Sequence, residues 1–152
     1  MGRPQKERGI SEPPRIHSFR PLSVPKECLD TVTLTIDEFE AVRFADQQGL
    51  DHKDAARNMG ISRTTFTRLI EKARKKIADA LIDVKELCIE GGNVHFRRNI
   101  FRCASCRHLI RIDISDPRPA QCPQCGSMNV TDLAGTYGHG PCCRRRWKSR
   151  RN

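Results

Sequence analysis

TIDEFEAVRFADQQGLDHKDAARNMGISRTTFTRLIEKARKKIADAL, residues 35–81, reads as three helices joined by two turns and closing on a basic helix, the layout of a helix-turn-helix. Thr35 followed by Glu38 is a capping-box pair, in which each side chain satisfies the other residue's free backbone N–H. Gly49 supplies a left-handed stop, so the first helix is expected over residues 36–47. Asp51 caps a second helix over residues 52–58, and the small side chains of Ala55 and Ala56 let a crossing helix approach. Gly60 turns the chain, Ile61 plugs the corner and Ser62 caps the third helix.

In that third helix Phe66, Leu69, Ile70, Ala73, Ile77 and Leu81 recur at three- and four-residue steps and form one apolar stripe. The other side is cationic. Residues 63–76 hold six Lys or Arg against the single acid Glu71, a net of +5, whereas residues 35–90 hold ten basic and eleven acidic residues, a net of −1. Charge gathered on one element suits a helix lying on phosphates, with Ser62, Arg63, Arg68, Lys72 and Lys75 toward the backbone and Thr64, Thr67, Arg68 and Glu71 near base edges. The bland alternative is a solvated charged face on an ordinary three-helix core.

GISRTTFTRLIEKARKKI, residues 60–77, resembles the recognition helix of sigma-factor region 4. A narrower resemblance covers residues 1–93: Arg3-Pro4, FRPLSVP (19–25), LTIDEFEAVRFAD (34–46) and IEGGN (89–93) are similar to a bacterial and archaeal family known as domain of unknown function 134, described as predicted DNA-binding proteins. The resemblance implies a DNA-binding fold and no particular target. No promoter-melting segment of a complete sigma factor precedes the helices, so sigma activity is not carried over.

The 152 residues allow one or two small domains, neither with a large core. A net charge of +10 favours a polyanionic partner. No apolar run approaches the ~20 residues that span a bilayer, and MGRPQKERGI lacks the apolar core of a signal peptide. The expectation is a cytoplasmic protein that enters no membrane. Gly2 alone is weak evidence for myristoylation, since Lys6 stands where that motif has Ser or Thr.

Residues 1–34 carry five of the nine prolines and are expected as a Pro-rich basic arm. Arg3, Lys6, Arg8 and Arg15 are candidates for minor-groove contact. The competing reading is an ordered wrap that packs Ile16, Phe19, Leu22 and Val24 on the helices. Cys28 and Cys88 are isolated and read as small buried thiols.

Gly91-Gly92 marks a boundary, beyond which twelve basic residues face three acids, a net of +9. Alternating residues 109–114 suggest a strand. Around it stand Cys103-x2-Cys106 and Cys122-x2-Cys125, with fifteen residues between the pairs. That is the spacing of a four-thiolate metal site. The pattern resembles a zinc ribbon over residues 93–134; Cys122-Pro123-Gln124-Cys125-Gly126 is the typical second knuckle, while Arg107 stands where the first knuckle commonly has Gly. Four ligands leave no position for substrate, so one structural zinc per chain is expected. The same sulfurs also suit rubredoxin-type iron, and disulfides are the further alternative.

Residues 135–152 read as a disordered, phosphate-contacting tail with six basic residues in its last nine positions. His139, Cys142 and Cys143 there make either a second, exchangeable metal or redox site or an incidental grouping. The histidines His17, His52, His95, His108 and His139 are taken as surface or packing residues. No phosphate-cradling loop, HExxH or nucleophile elbow is present, and no enzyme is expected.

The sequence thus implies a mainly α helix-turn-helix DNA-binding domain over residues 35–90, of sigma-region-4-like three-helix type, followed by a small β zinc-ribbon module. The expected function is transcriptional regulation through sequence-specific binding of double-stranded DNA. The ribbon and tail would add sequence-blind affinity. Rivals from other classes are a rubredoxin-like electron carrier and an adaptor docking RNA polymerase. Target sequence, direction of regulation and oligomeric state are not written in the residues.

Overall fold

In the computed structural model, which describes residues 7–149, the chain folds as two compact units. Among the described residues, one comprises residues 7–9 together with Pro14–Val94; the other comprises Ile10–Pro13 and residues 95–149. The elements run β1 (Arg8–Ile10), β2 (Ser18–Phe19), a 3-10 turn (Lys26–Cys28), β3 (Thr31–Leu34), α1 (Ile36–Val42), a π-helical turn (Arg43–Gln47), α2 (His52–Met59) and α3 (Arg63–Ile82). They continue as β4 (Glu86–Ile89), β5 (Val94–Phe96), β6 (Arg98–Cys103), β7 (Leu109–Asp113), β8 (Val130–Asp132), α4 (Leu133–Thr136) and α5 (Pro141–Ser149). The strands form three small sheets, ordered β1-β5, β2-β4-β3 and β7-β6-β8.

In the first unit the helices lie inside a crossover between two parallel strands. β3 pairs in parallel with β4, from Thr31 opposite Glu86 to Leu34 opposite Ile89, and β2 pairs antiparallel with the other edge of β4. Parallel partners need such a long connection, and the three helices supply it. The Glu90 N–H donates to the Leu34 carbonyl and the Ile36 N–H to that of Gly91, so sheet and helix entry are bonded together.

Local signals set the helix ends. The Thr35 N–H donates to Glu38 Oε2 at 3.0 Å, and Asp51 accepts from the Asp54 N–H at 2.8 Å. Gly60 ends α2 with φ of 68° and Ser62 opens α3 by accepting from the Thr65 N–H at 3.1 Å. Phe66, Ile70 and Ala73 of α3 are fully buried with Ala41, Ala55 and Met59; full burial of a side chain the size of Phe66 contributes about 2–3 kcal/mol.

The expectation of a mainly α three-helix domain plus a small β ribbon is corrected. Of the described residues 39% are helical and 21% are in strands, and the first unit is a mixed α and β structure, not plainly a helix-turn-helix domain. Four-residue strands such as Thr31–Leu34 are too short to announce themselves by alternation, and their partners lie far along the chain. Three smaller differences accompany it. The first helix widens into a π turn after Val42. The apolar stripe of α3 ends inside at Ala80, leaving Leu81 75% exposed, because 100° per residue carries it past the edge of the buried sector. Of the four apolar residues named for an ordered wrap, Ile16, Phe19 and Leu22 are exposed and Val24 is half-buried, and the segment is instead ordered by β1, β2 and β3.

The second unit is built on the antiparallel sheet β7-β6-β8. Phe101 and Val130 pack with Cys103 and Cys122, flanked by Ile110 and Ile112. This unit exceeds a ribbon. Buried Asn99 on β6 donates to Asp132 at 2.8 Å and accepts from the Ala134 N–H at 3.0 Å, seating α4. The expected disordered tail contains α5, whose Trp147 Nε1 donates to the Phe96 carbonyl at 2.8 Å. Among the described residues no helix is long and apolar enough to cross a membrane.

Candidate nucleic-acid interface and metal centre

Of the residues assigned from sequence to the helix that meets DNA, all but Ser62, its cap, lie on α3. Ser62, Arg63, Thr64, Arg68, Glu71, Lys72 and Lys75 are exposed. At 100° per residue Thr64, Arg68, Glu71 and Lys75 fall within about 60° of one another, opposite the buried stripe, with Arg63 and Lys72 flanking them. Lys75 lies 3.3 Å from Asp79 and Lys72 3.9 Å from Glu38, yet their side chains are 78% and 69% exposed. Pairing at such exposure is weak, so both ammonium groups stay available to another anion.

Two other basic side chains of α3 are committed to the fold. Arg74 holds Asp46 of the π turn through Nη2 at 2.7 Å and Nε at 3.2 Å, and this hydrogen bond raises its already high pKa. Lys76 reaches buried Glu38 at 2.8 Å and 3.1 Å. Two of the six cations over residues 63–76 therefore fasten α3 to α1 and the π turn.

Thr67 differs from its expected role. It is half-buried, and its Oγ1 lies 2.9 Å from His52 Nδ1. His52 also stands edge-on to Phe66, with ring centroids 5.3 Å apart. The side chain thus joins α3 to α2. Arg57 of α2, 70% exposed, went unremarked in the sequence because a lone Arg on a charged helix carries no pattern.

Of the arm residues named for the minor groove, Arg3 and Lys6 lie outside the described residues. Arg15 is exposed, whereas Arg8 is paired with Asp37. A cleft of about 310 Å³ beside α3 is lined by Arg8, Arg68 and Lys72 but equally by Asp37 and Glu38. The two acids cancel much of its positive field, so the cleft is not an anion pocket. Cys28 is exposed and Cys88 half-buried, against the expectation of two buried thiols; burial raises the pKa of the Cys88 thiol.

The four cysteines of the second unit converge. One Sγ of each of Cys103, Cys106, Cys122 and Cys125 lies within 4.8 Å of every other. Cys103 and Cys125 approach to 3.5 Å and Cys106 and Cys122 to 3.6 Å, near the ~3.8 Å edge of a tetrahedron with ~2.3 Å metal–sulfur bonds. The two knuckles repeat each other bond for bond. The Cys103 N–H donates to the His108 carbonyl as Cys122 does to Ser127, and the Arg107 N–H donates to the Cys103 carbonyl as Gly126 does to Cys122. Arg107 has φ of 62° where Gly126 has 75°. The departure seen in the sequence is met by holding an arginine in a backbone region that favours glycine.

The Cys106 N–H donates to Cys103 Sγ, holding that thiol down to about 6. For Cys106 the His108 N–H favours the thiolate, but burial and the three neighbouring sulfurs prevail and push it up to about 12. A cluster of thiols without a cation shares protons in this way, and a cation removes them by favouring the thiolate at each sulfur. The group can hold a metal ion.

Residues 1–97 match the family described as protein of unknown function DUF134. The chain is 45% identical over 133 residues to a UPF0251 protein of Chloroherpeton thalassium, covering 88% of this chain and 87% of that one. It is 39% identical over 145 residues to a UPF0251 protein of Moorella thermoacetica, covering 95% and 94%, and 38% identical over 132 residues to one of Methanosarcina mazei, covering 85% and 78%. No solved structure matches the chain. The match to more than half of its length, together with these relatives, makes the chain a member of the DUF134 family.

Proposed function

We propose that the protein binds double-stranded DNA sequence-specifically through the outer face of α3 and acts as a transcriptional regulator, with one structural zinc ion held by Cys103, Cys106, Cys122 and Cys125. The observation that carries the reading is the division of labour along α3: Arg74 and Lys76 are tied to acids of the fold, while Arg63, Arg68, Lys72 and Lys75 stand exposed around Thr64 and Glu71. An exposed helix with a capped N-terminus, a central face of Thr64, Arg68, Glu71 and Lys75 and the flanking cations Arg63 and Lys72 fits the major groove, where cations meet phosphates and side chains at the N-terminal end of the face meet base edges. Thr64 and Arg68 are assigned to bases, and Arg63, Lys72 and Lys75 to phosphates. Thr67 is left out because it serves His52.

Zinc is supported by the donor set. Four thiolates around one ion close the coordination sphere and leave no site for substrate, so the ion's role is to fold a unit with a small core. Selection of bound duplexes from a random pool tests the DNA reading: the wild-type protein is expected to enrich one motif and Thr64→Val to shift it. Enrichment of no motif overturns sequence-specific binding. Metal analysis of the purified protein tests the ion at this site, and a red protein with one iron on these sulfurs overturns zinc.

A further inference from the structure

Apart from the four-thiolate group, the second unit gathers another set of ligands. A ring nitrogen of His95, a ring nitrogen of His139 and the sulfurs of Cys142 and Cys143 all lie within 4.8 Å of one another. Only the last three are neighbours in sequence; His95 is brought to them by the fold from the middle of β5. Cys142 Sγ is 3.4 Å from His139 Nδ1, Cys143 Sγ is 3.7 Å from the same nitrogen, and the two sulfurs are 3.8 Å apart. Bonds of ~2.3 Å to sulfur and ~2.05 Å to nitrogen put tetrahedral edges at about 3.8 Å for S–S and about 3.6 Å for S–N. The observed triangle has those edges.

Hydrogen bonding accounts for the triangle less well. Two thiols converge on one ring nitrogen, whose single lone pair accepts one good S–H bond, and the His95 nitrogen adds a fourth donor around the same point. Neither is the sulfur pair a disulfide, since 3.8 Å is nearly twice the S–S bond length of ~2.05 Å. We infer that His95, His139, Cys142 and Cys143 form a second metal site, of the His2Cys2 class, that takes a tetrahedral divalent ion such as zinc.

The surroundings suit such an ion. Two thiolates neutralise a divalent cation, so the complex is uncharged, as a site containing fully buried Cys143 requires. Both cysteines stand in the first turn of the nine-residue helix α5, where backbone N–H groups and the helix dipole favour thiolates. Cys143 Sγ also accepts the Phe96 N–H at 3.2 Å, an outer hydrogen bond of the kind that orients a metal ligand. The Phe96 carbonyl takes Trp147 one turn farther along. The ion would thus pin the start of α5 to the backbone at His95 and Phe96 and present Arg144, Arg145 and Lys148 from an ordered helix.

The test is metal content and cobalt binding on the full chain, in buffer with a non-thiol reductant. The wild-type protein is expected to hold two zinc ions, and His139→Ala and Cys142→Ser to hold one. His139→Cys, which restores four donors, is expected to hold two again. Trp147 is the only tryptophan, so cobalt at this site should quench its fluorescence in the wild type and in His139→Cys, but not in His139→Ala. Because wild-type stoichiometry needs no variant to fold, one ion per wild-type chain overturns the inference, as does unchanged metal content in His139→Ala. The DNA reading is untouched by either result.

Discussion

Glu38 at the start of α1 and Lys76 near the end of α3 meet at 2.8 Å, and the same carboxylate accepts the Thr35 N–H at 3.0 Å. One side chain therefore caps the first helix and fastens it to the third. Glu38 is 2% exposed and the Lys76 side chain 23%. Glu38→Ala strands a largely buried ammonium and an uncapped helix, and about 3 kcal/mol of stability is expected to go. Glu38→Gln keeps an acceptor for the cap and should cost about 1–2 kcal/mol. Urea unfolding followed by circular dichroism checks both, with equal losses contradicting the division.

Arg107 is expected to be a weak point that glycine repairs. Its φ of 62° costs a side-chain-bearing residue about 1 kcal/mol, and the twin position, Gly126, avoids that cost. Arg107→Gly should stabilise the metal-loaded protein by about that amount and Gly126→Ala destabilise it similarly, since a Cβ at Gly126 meets no atom within 4 Å and only the backbone objects. Thermal melting of the two variants reads the difference. A loss of stability in Arg107→Gly would show that the arginine side chain contributes more than its backbone costs.

Tyr137 is the only tyrosine, which makes its titration readable by absorbance. Burial pushes its phenol up to about 12. The neutral form is thus favoured by the fold, and its contribution to stability is complete below pH ~10, where the unfolded phenol ionises. It declines as pH rises from there through about 12. A midpoint near 10 in the folded protein would contradict the burial of this ring.

How much of this was legible in the sequence divides by range. Thr35 and Glu38, Asp51, Gly60 and Ser62 act on backbone groups within four residues, and each does in the structure what its type implies. The two Cys-x-x-Cys pairs are similarly local, and only their meeting is long-range. What escaped depends on distant partners: the pairing of Thr31 with Glu86, the turning of Thr67 toward His52, and the arrival of His95 beside His139. A threonine on the outer half of a basic helix looks the same in sequence whether it faces solvent or a neighbouring helix.

Thr67 and Thr64 are consequently expected to behave differently. Thr67→Val removes the bond to His52 and should cost about 1 kcal/mol of stability, with the preferred duplex unchanged. Thr64→Val, at an exposed position, should leave stability within ~0.5 kcal/mol and alter the preferred duplex. The reverse pattern would move base reading from Thr64 to Thr67.

The most direct measurement is the salt dependence of duplex-DNA binding, by fluorescence anisotropy, for the wild-type protein and for Arg68→Ala with Lys72→Ala. Phosphate contacts release counterions, and each one lost flattens the log–log slope by about 0.9. Binding of the double variant is expected to be at least tenfold weaker at moderate salt, with a slope shallower by about 0.9 for the phosphate contact of Lys72 and the circular dichroism of the helices unchanged. Equal affinity and equal slope in the two proteins would contradict the assignment of DNA to α3.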